Sequence, residues 1–239
     1  MNRLSCLLLL AALTACQPAP VDPAFDEEKA AELLAGYEAA RAEQDFEIAE
    51  ARGDELRQRH GETRAAETVR ATLDEVRAGA EAMRESRRLK ALWDYQAIPA
   101  AGGTQHTAAI SSRVEVGEDA DLSLEEEVQV APIPDAKLIL RRHPEWGDSV
   151  YLVLTQRDLD CGPPCSLQIA FDDGDFERFE GDPADTGTGP ALFIVERERF
   201  LKAMQAARRV RIKLPGSAHL APAFEFEVGG FRARPGLLD

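Results

Sequence analysis

The sequence predicts an α+β protein, with an N-terminal helical hairpin or three-helix region followed by a mainly antiparallel β-sandwich-like domain that contains one helix. Residues 25–98 are rich in Ala, Glu, Arg and Leu and contain no proline. Beyond the glycine-containing residues 100–104, apolar residues recur at every second position instead of every third or fourth. The 239 residues, 44% of them hydrophobic, are enough for one large or two small domains.

We expect five segments along the chain. They are a signal peptide over residues 1–15, a lipidated cysteine and tether over 16–24, a helical domain over 25–98, a linker over 99–110 and a β-rich domain over 111–239.

The first residues have the three parts of a secretory signal peptide. Arg3 supplies a positive charge, residues 4–13 form an apolar run, and small residues precede Cys16. The apolar run is too short to span a membrane as a helix. Residues 13–16, Leu-Thr-Ala-Cys, resemble the lipobox of bacterial lipoproteins. The resemblance implies cleavage before Cys16 and attachment of lipid to its thiol.

Lipid on Cys16 makes the membrane the first predicted partner. Each buried methylene contributes about 0.8 kcal/mol, so several acyl chains hold a protein essentially permanently. Gln17 follows the cysteine, whereas Gram-negative lipoproteins retained at the inner membrane usually carry aspartate there. The resemblance therefore implies the periplasmic face of the outer membrane. Residues 17–24, rich in proline and alanine, are typical of a short tether.

The charge balance excludes some classes of partner. The chain has 28 Lys and Arg residues against 43 Asp and Glu, a formal net charge of -15. Such a charge repels the phosphates of nucleic acids and disfavours peripheral docking on anionic lipid. We expect no nucleic-acid partner and, besides the membrane, a protein partner of the cell envelope.

Three helices are predicted in the helical region. Asp22 and Pro23 are typical of a helix start, Asp45 can cap a second helix, and Gly61 can end it before a third. Residues 28–61 resemble a single tetratricopeptide-type helical hairpin, through Tyr37, Ala40, Asp45, Phe46, Ala49 and Gly53. Because such units need about three stacked copies to stand alone, this one must pack on the third helix or on the second domain.

The third helix carries an apolar stripe at alternating three- and four-residue spacing, which consists of Ala66, Val69, Leu73, Val76, Ala80 and Met83. Two interpretations stay open: the stripe packs on helices of the same chain, or it forms a dimeric coiled coil. We favour the first, because the stripe is rich in alanine and because Arg87 and Lys90 end its register.

Six short runs with β-branched or aromatic residues predict the strands of the second domain. They are residues 137–140, 150–154, 167–171, 191–195, 210–214 and 224–228. In the last run the apolar residues share one face and the glutamates the other, which favours an antiparallel sheet with one buried face. Asp173-Gly174 predicts a two-residue hairpin, and residues 196–207 predict one helix.

Of the four cysteines, two remain once Cys6 is removed with the signal peptide and Cys16 carries lipid. Cys161 and Cys165 then lie in an oxidising compartment, and we expect a structural disulfide between them. The motif resembles the Cys-Gly-Pro-Cys site of thioredoxins but has three residues between the cysteines instead of two. Its two prolines also predict a turn, not the helix start that activates a thiol. A thiol oxidoreductase that uses this pair is an alternative.

A hydrolase that uses Ser149 is a second enzymatic alternative. Residues 147–149, Gly-Asp-Ser, are similar to the nucleophile block of GDSL-type hydrolases, but no Asp-x-x-His follows to supply a base. A turn that enters a strand is our interpretation of these residues.

Metal-binding patterns are absent from the sequence. The four histidines, at positions 60, 106, 143 and 219, lack metal-binding spacing. The acidic loop misses the EF-hand pattern, although a weak calcium site there stays open, with Asp172, Asp173, Asp175 and either Asp182 or Asp185. We expect no catalytic residues, no metal and no cofactor.

From about residue 112 to the end, the order of features is similar to two families of small periplasmic β-sandwich proteins. The features are a strand that leads into Cys161, an aspartate-containing strand end at 169–173, the run 191–194, a short helix with Phe200, and strands at 210–212 and 224–230. The families are the invasion-associated-locus-B-like proteins and the VasI/TagO-like accessory lipoproteins of type VI secretion. The resemblance implies a non-enzymatic accessory domain of the envelope, although the helical region departs from both families.

The leading hypothesis is a lipid-anchored, two-domain periplasmic protein that acts in binding or envelope assembly. The alternatives are the two enzymes and a spacer that self-associates through the stripe of the third helix.

Overall fold

The computed structural model describes residues 23–114, 136–154, 161, 165–183, 191–214 and 223–237. It has the α+β class predicted from the sequence, with N-terminal helices followed by an antiparallel sheet. The chain divides into two compact units, Met1–Glu81 and Ala82–Asp239.

Four helices cover the N-terminal part of the described chain. They are α1 (Pro23–Ala42), α2 (Phe46–Arg59), α3 (Arg64–Arg70) and α4 (Leu73–Ala91). The predicted cap of the second helix is confirmed, because the Asp45 carboxylate accepts a hydrogen bond from the backbone N–H of Ile48 at 3.3 Å. Thr63 caps α3 in the same way through the N–H of Ala66.

The predicted third helix is interrupted between Arg70 and Leu73, so its stripe is divided between α3 and α4. At the break, the N–H of Thr72 donates to the Val69 carbonyl three residues earlier, and its hydroxyl lies 2.8 Å from the Tyr37 hydroxyl. Val69, Leu73 and Val76 are buried together with Tyr37 and Leu56 of the preceding helices. This packing supports the intramolecular interpretation of the stripe.

The prediction of a helix to residue 98 and a linker over 99–110 is corrected by the structure. The helix α4 ends at Ala91, and the next residues form a hairpin of β1 (Trp93–Ala100) and β2 (Gly103–Ser111). The turn depends on Gly102, whose φ of 80° favours glycine. Trp93 and Tyr95 alternate with polar neighbours in β1, which is a strand pattern inside a stretch of otherwise helix-forming composition.

Each of the six predicted strand runs overlaps a strand of the structure. The further strands are β3 (Arg113–Val114), β4 (Ala136–His143), β5 (Gly147–Leu154), β6 (Cys165–Phe171), β7 (Glu177–Pro183), β8 (Ala191–Ile194), β9 (Val210–Lys213) and β10 (Phe224–Phe226). The ten strands form one sheet in the order β1-β2-β4-β5-β8-β7-β6-β9-β10-β3, and every neighbouring pair is antiparallel.

The sheet curls back on itself through Ser112. The strand β2 continues through this one residue into β3, which pairs with β10 at the far end of the sheet. The N–H of Ser112 donates to the Ala136 carbonyl at 2.7 Å, and its hydroxyl accepts from the Ala136 N–H at 3.0 Å. The continuous segment β2–β3 therefore pairs with β1 and β4 near one end of the sheet and with β10 at the other end.

The predicted two-residue hairpin at Asp173-Gly174 is wrong, because the connection from β6 to β7 spans residues 172–176. Asp172 has a φ of 50°, and its carboxylate accepts hydrogen bonds from the backbone N–H groups of Arg208 and Arg209. The loop is thus shaped by its bonds to the start of β9 and not by the local turn alone.

The core of the second unit lies on the concave side of the sheet. The predicted second-domain helix is confirmed as α5 (Arg197–Ala206), which buries Phe200 and Met204 in this core. The Phe200 ring contacts Phe171 and Phe179, with ring centroids 5.7 and 6.4 Å away. Across the described residues, no helix combines the length and the apolar character needed to cross a membrane.

Candidate functional site

The outward face of β4, β5 and β8 carries apolar and cationic side chains. Leu138, Leu140 and Leu152 are fully buried in the core. Because side chains alternate along a strand, the neighbouring positions point away from the core. We call this surface the outer face; it consists of Lys137, Ile139, Arg141, His143, Ser149, Tyr151, Val153, Ala191 and Phe193.

The strand register places the apolar residues of the outer face side by side. Ile139 lies opposite Tyr151, which in turn lies opposite Phe193. The ring centroids of Tyr151 and Phe193 are 5.1 Å apart, within the range of favourable aromatic contact. These side chains are half-buried, so each presents part of its apolar surface.

Trp146 lies at the edge of the outer face, in the turn between β4 and β5, and 68% of its surface is exposed. Its ring stacks on the buried ring of His143, with centroids 3.9 Å apart and planes inclined by 12°. The next residue, Gly147, has a φ of 71°, a conformation that favours glycine and turns the chain into β5. The turn thus holds a large aromatic ring in a fixed, exposed position.

His143 is fixed by the same turn. Its Nδ1 accepts hydrogen bonds from the backbone N–H groups of Glu145 and Trp146, at 3.2 and 3.3 Å. A nitrogen that accepts two N–H groups carries no proton, so the proton of the neutral ring lies on Nε2. The backbone of the turn therefore sets both the orientation and the tautomer of the ring beneath Trp146.

Arg141 joins the two aromatic groups of the outer face. Its guanidinium carbon lies 5.4 Å from the Trp146 ring centroid and 5.3 Å from that of Tyr151, which are distances for cation–π attraction. Its Nε donates to the Ser149 hydroxyl at 3.1 Å. Among the described residues, no carboxylate lies within ion-pair distance of Arg141 or Lys137, so both cations can take an external anion.

The phenol of Tyr151 is a hydrogen-bond donor at neutral pH. Burial raises its pKa above the ordinary value of 10.0, and the charge of Arg141 opposes this effect only in part. The Tyr151 hydroxyl therefore keeps its proton and adds to the donors of Arg141 and Lys137.

The residues on which the hydrolase alternative depends are engaged in other contacts. The Ser149 hydroxyl is bound by Arg141, and Asp148 forms an ion pair with Arg142 at 2.7 Å. His143 is the nearest histidine along the chain, but its Nδ1 is occupied by backbone N–H groups. The structure does not bring Ser149 together with a base.

Of the three cysteines predicted to carry lipid or form a disulfide, the structure describes two, Cys161 and Cys165. Cys16 lies outside the described residues. Cys161 and Cys165 are joined by a disulfide with their Cα atoms 5.4 Å apart. The Cys165 side chain is buried in the core, and Cys161 packs against it. The linked pair is therefore part of the packing at the start of β6.

Two carboxylates of the acidic loop, those of Asp172 and Asp173, accept hydrogen bonds from the residues that lead into β9. Asp172 caps the start of β9, and the Asp173 carboxylate accepts a hydrogen bond from the Arg209 guanidinium at 2.7 Å. Asp175 and Asp182 are exposed, and Asp185 lies outside the described residues. In the described part of the chain, no three His, Cys, Asp or Glu side chains gather as they would around a metal ion.

The structure places the other two described histidines, His60 and His106, in different parts of the fold and away from Ser149 along the chain. The His60 ring pairs with Asp26, and the His106 ring lies against Gly236, where a β-carbon would be 2.7 Å from Nε2. His219 lies outside the described residues.

A cavity of about 430 Å³ lies between the C-terminal end of α4 and the start of β9, where charged side chains pair with one another. The Arg88 guanidinium donates to both oxygens of Glu227, at 3.1 and 2.5 Å, and also to Glu85. Arg113 contacts the same Glu227 carboxylate at 2.7 Å. This network links α4 to the end of the sheet and is structural in character.

Comparison with known protein families, with curated proteins and with solved structures finds no match to this chain. The resemblances described from the sequence therefore stay predictions.

The sequence analysis did not identify the outer face, although the pattern of residues along β4 indicates it. Lys137, Ile139 and Arg141 alternate with the leucines of β4, so a strand that was correctly predicted already has a cationic and apolar outer side. The role of Trp146 required the structure, because only the turn geometry shows that the ring stacks on His143 and stays exposed.

Proposed function

We propose that this chain is a non-catalytic, lipid-anchored protein of the outer membrane, facing the periplasm, that binds an envelope partner through the outer face. The observation that carries the proposal is Trp146, a tryptophan that is 68% exposed and yet held in place by a stacked ring and a neighbouring guanidinium.

Fixed aromatic groups on a surface favour binding for an energetic reason. Tryptophan, tyrosine and arginine are the residues that most often dominate the free energy of protein association. A ring that is already fixed loses little conformational entropy when a partner covers it. Trp146, Tyr151 and Arg141 supply all three residue types within one patch.

The same contacts support a binding role over a catalytic one. The polar atoms of Ser149 and the Nδ1 of His143 are used to hold the patch together. A nucleophile needs a base within hydrogen-bond distance, and the described contacts of Ser149 provide an arginine instead.

The experiment compares binding of the purified chain from Gln17 onward, which lacks the proposed lipid anchor, to envelope material that is immobilised in three forms: cell-wall sacculi, phosphatidylethanolamine–phosphatidylglycerol vesicles and detergent-extracted envelope proteins. We expect Trp146→Ala to lower retention on one of them at least about tenfold, as for a hot-spot residue. Ile48→Ala is the control, because Ile48 is 46% exposed but lies on α2, which contributes no residue to the outer face.

The proposal is contradicted if the wild-type protein is retained on none of the three materials. It is equally contradicted if Trp146→Ala and Ile48→Ala have the same effect, since the outer face would then have no special role.

A further inference from the structure

We infer that the partner of the outer face is a protein that presents an extended acidic segment, with two carboxylates separated by apolar side chains. This inference rests on the proposed function and names the chemistry of the partner.

The charge of the outer face is opposite to that of the whole chain. The formal net charge is -15, yet the outward positions of β4, β5 and β8 include Lys137 and Arg141 and no carboxylate. The nearest carboxylates in register on the same side of the sheet lie beyond the outer face, Asp94 on β1 and Asp182 on β7. Neither cation has an ion-pair partner among the described residues. A cationic patch on an acidic protein attracts a segment that carries the opposite charge, and the surrounding acidity repels anions elsewhere.

The spacing of the two cations fits an extended chain. Lys137 and Arg141 are four residues apart on one strand, which corresponds to about 13 Å at the rise of a β-strand. In an extended segment, side chains four positions apart lie on one side and are separated by the same distance. Two acidic residues at that spacing can reach both cations at once.

The surface between the two cations is apolar. Ile139 lies midway between them on β4, Tyr151 lies opposite Ile139 on β5, and Phe193 lies opposite Tyr151 on β8. In the extended segment, the residue midway between the two carboxylates faces Ile139. An apolar side chain there buries surface on both partners, which stabilises the complex by about 25 cal/mol per Å².

The polar groups of the patch favour carboxylates over neutral sugars. Lys137, Arg141 and the protonated Tyr151 phenol offer donors. Sugar hydroxyls need acceptors as well as donors, and the outward positions of these strands hold no carboxylate or amide side chain. Anionic lipid is disfavoured because the net charge of -15 repels a whole charged surface, whereas a single segment contacts the patch alone.

The test uses the purified mature protein and a synthetic peptide, Ser-Glu-Ser-Leu-Ser-Glu-Ser, blocked at both ends. Its two glutamates are four residues apart, with leucine midway between them. Peptides with glutamine or lysine in place of both glutamates provide the neutral and basic comparisons, and binding is measured by calorimetry at low and high salt.

We expect the acidic peptide alone to bind, with an affinity that falls at high salt. Lys137→Gln and Arg141→Gln should each weaken binding up to about fivefold, the range for exposed ion pairs, and Arg141→Lys should retain most of it. Lys202→Gln is the matched control, because it removes the same charge from an exposed position on α5. Unchanged melting temperatures verify that the variants are folded.

Three results overturn the inference: the neutral peptide binds as well as the acidic one, Lys202→Gln weakens binding as much as Lys137→Gln, or the acidic peptide does not bind. If retention on any of the three envelope materials still depends on Trp146 in any of these cases, the inference fails and the proposed function stands. If no retention depends on Trp146, both fail.

Discussion

At the level of single residues, Glu227 connects two arginine side chains, Arg88 and Arg113. Its carboxylate accepts two hydrogen bonds from Arg88 and contacts Arg113, and only 13% of its side chain is exposed. The hydrogen bonds from Arg88 lower the pKa of Glu227 below the ordinary 4.5, with a further contribution from Arg113. Glu85, which also binds Arg88, has its pKa lowered for the same reason.

A lowered pKa makes the stability of the second unit dependent on pH. A carboxyl with a lowered folded-state pKa stabilises the protein above its unfolded-state pKa, and this contribution is lost as the pH falls through the folded value. We predict that Glu227→Gln lowers the melting temperature at pH 7 and that the difference from the wild type narrows below pH 4.5. Scanning calorimetry from pH 7 to 3 measures this, with Glu180→Gln on β7 as the exposed control. A difference that is constant with pH would contradict the role of the Arg88 contact.

Residue-scale features differ in how far the sequence predicts them. The Asp45 cap depends on residues three apart and was predicted correctly. The Arg88–Glu227 pair joins residues 139 positions apart, and no local pattern indicates which of many arginines and glutamates will meet. Trp146 was missed for a similar reason, because its exposure depends on how the turn places it over His143.

At the level of elements, helices and strands were predicted correctly where buried residues recur at the regular spacing of a helix or a strand. The helix α5 and the strands β4, β5 and β6 have clear patterns of core residues. The strand β7 was missed because its sequence, Glu-Arg-Phe-Glu-Gly-Asp-Pro, is mostly charged and buries only Phe179 and Gly181. The strand β1 was missed because it follows α4 after a single residue, without a proline or glycine to mark the change.

The disulfide closes a short segment at the start of β6 and distinguishes a structural link from a catalytic one. A loop of this length stabilises the fold by about 2 kcal/mol through its effect on the unfolded chain. We predict that the double variant Cys161→Ser, Cys165→Ser folds with a free energy of unfolding lower by about that amount. Denaturant unfolding measures the loss, and insulin reduction by the wild-type protein should show no turnover. Measurable turnover would instead support the thiol oxidoreductase alternative, because catalysis requires an accessible thiolate.

At the level of the whole molecule, the composition predicted the fold class but not the closure of the sheet. The change from helical to strand periodicity indicates helices followed by an antiparallel sheet. The strand order depends on long-range pairing, such as β3 with β10, and a sequence pattern does not specify that order. The outer face arises from this order, since β8 joins β5 although β6 and β7 lie between them in the chain.

For the whole molecule, we propose that a lipid on Cys16 holds the protein at a membrane. The most direct measurement is the incorporation of radiolabelled palmitate in growing bacteria, followed by fractionation of membranes and soluble material. We predict that the wild-type protein takes up the label and sediments with membranes, whereas Cys16→Ala takes up none and is released or stays unprocessed. An unlabelled wild-type protein in the soluble fraction would contradict the claim.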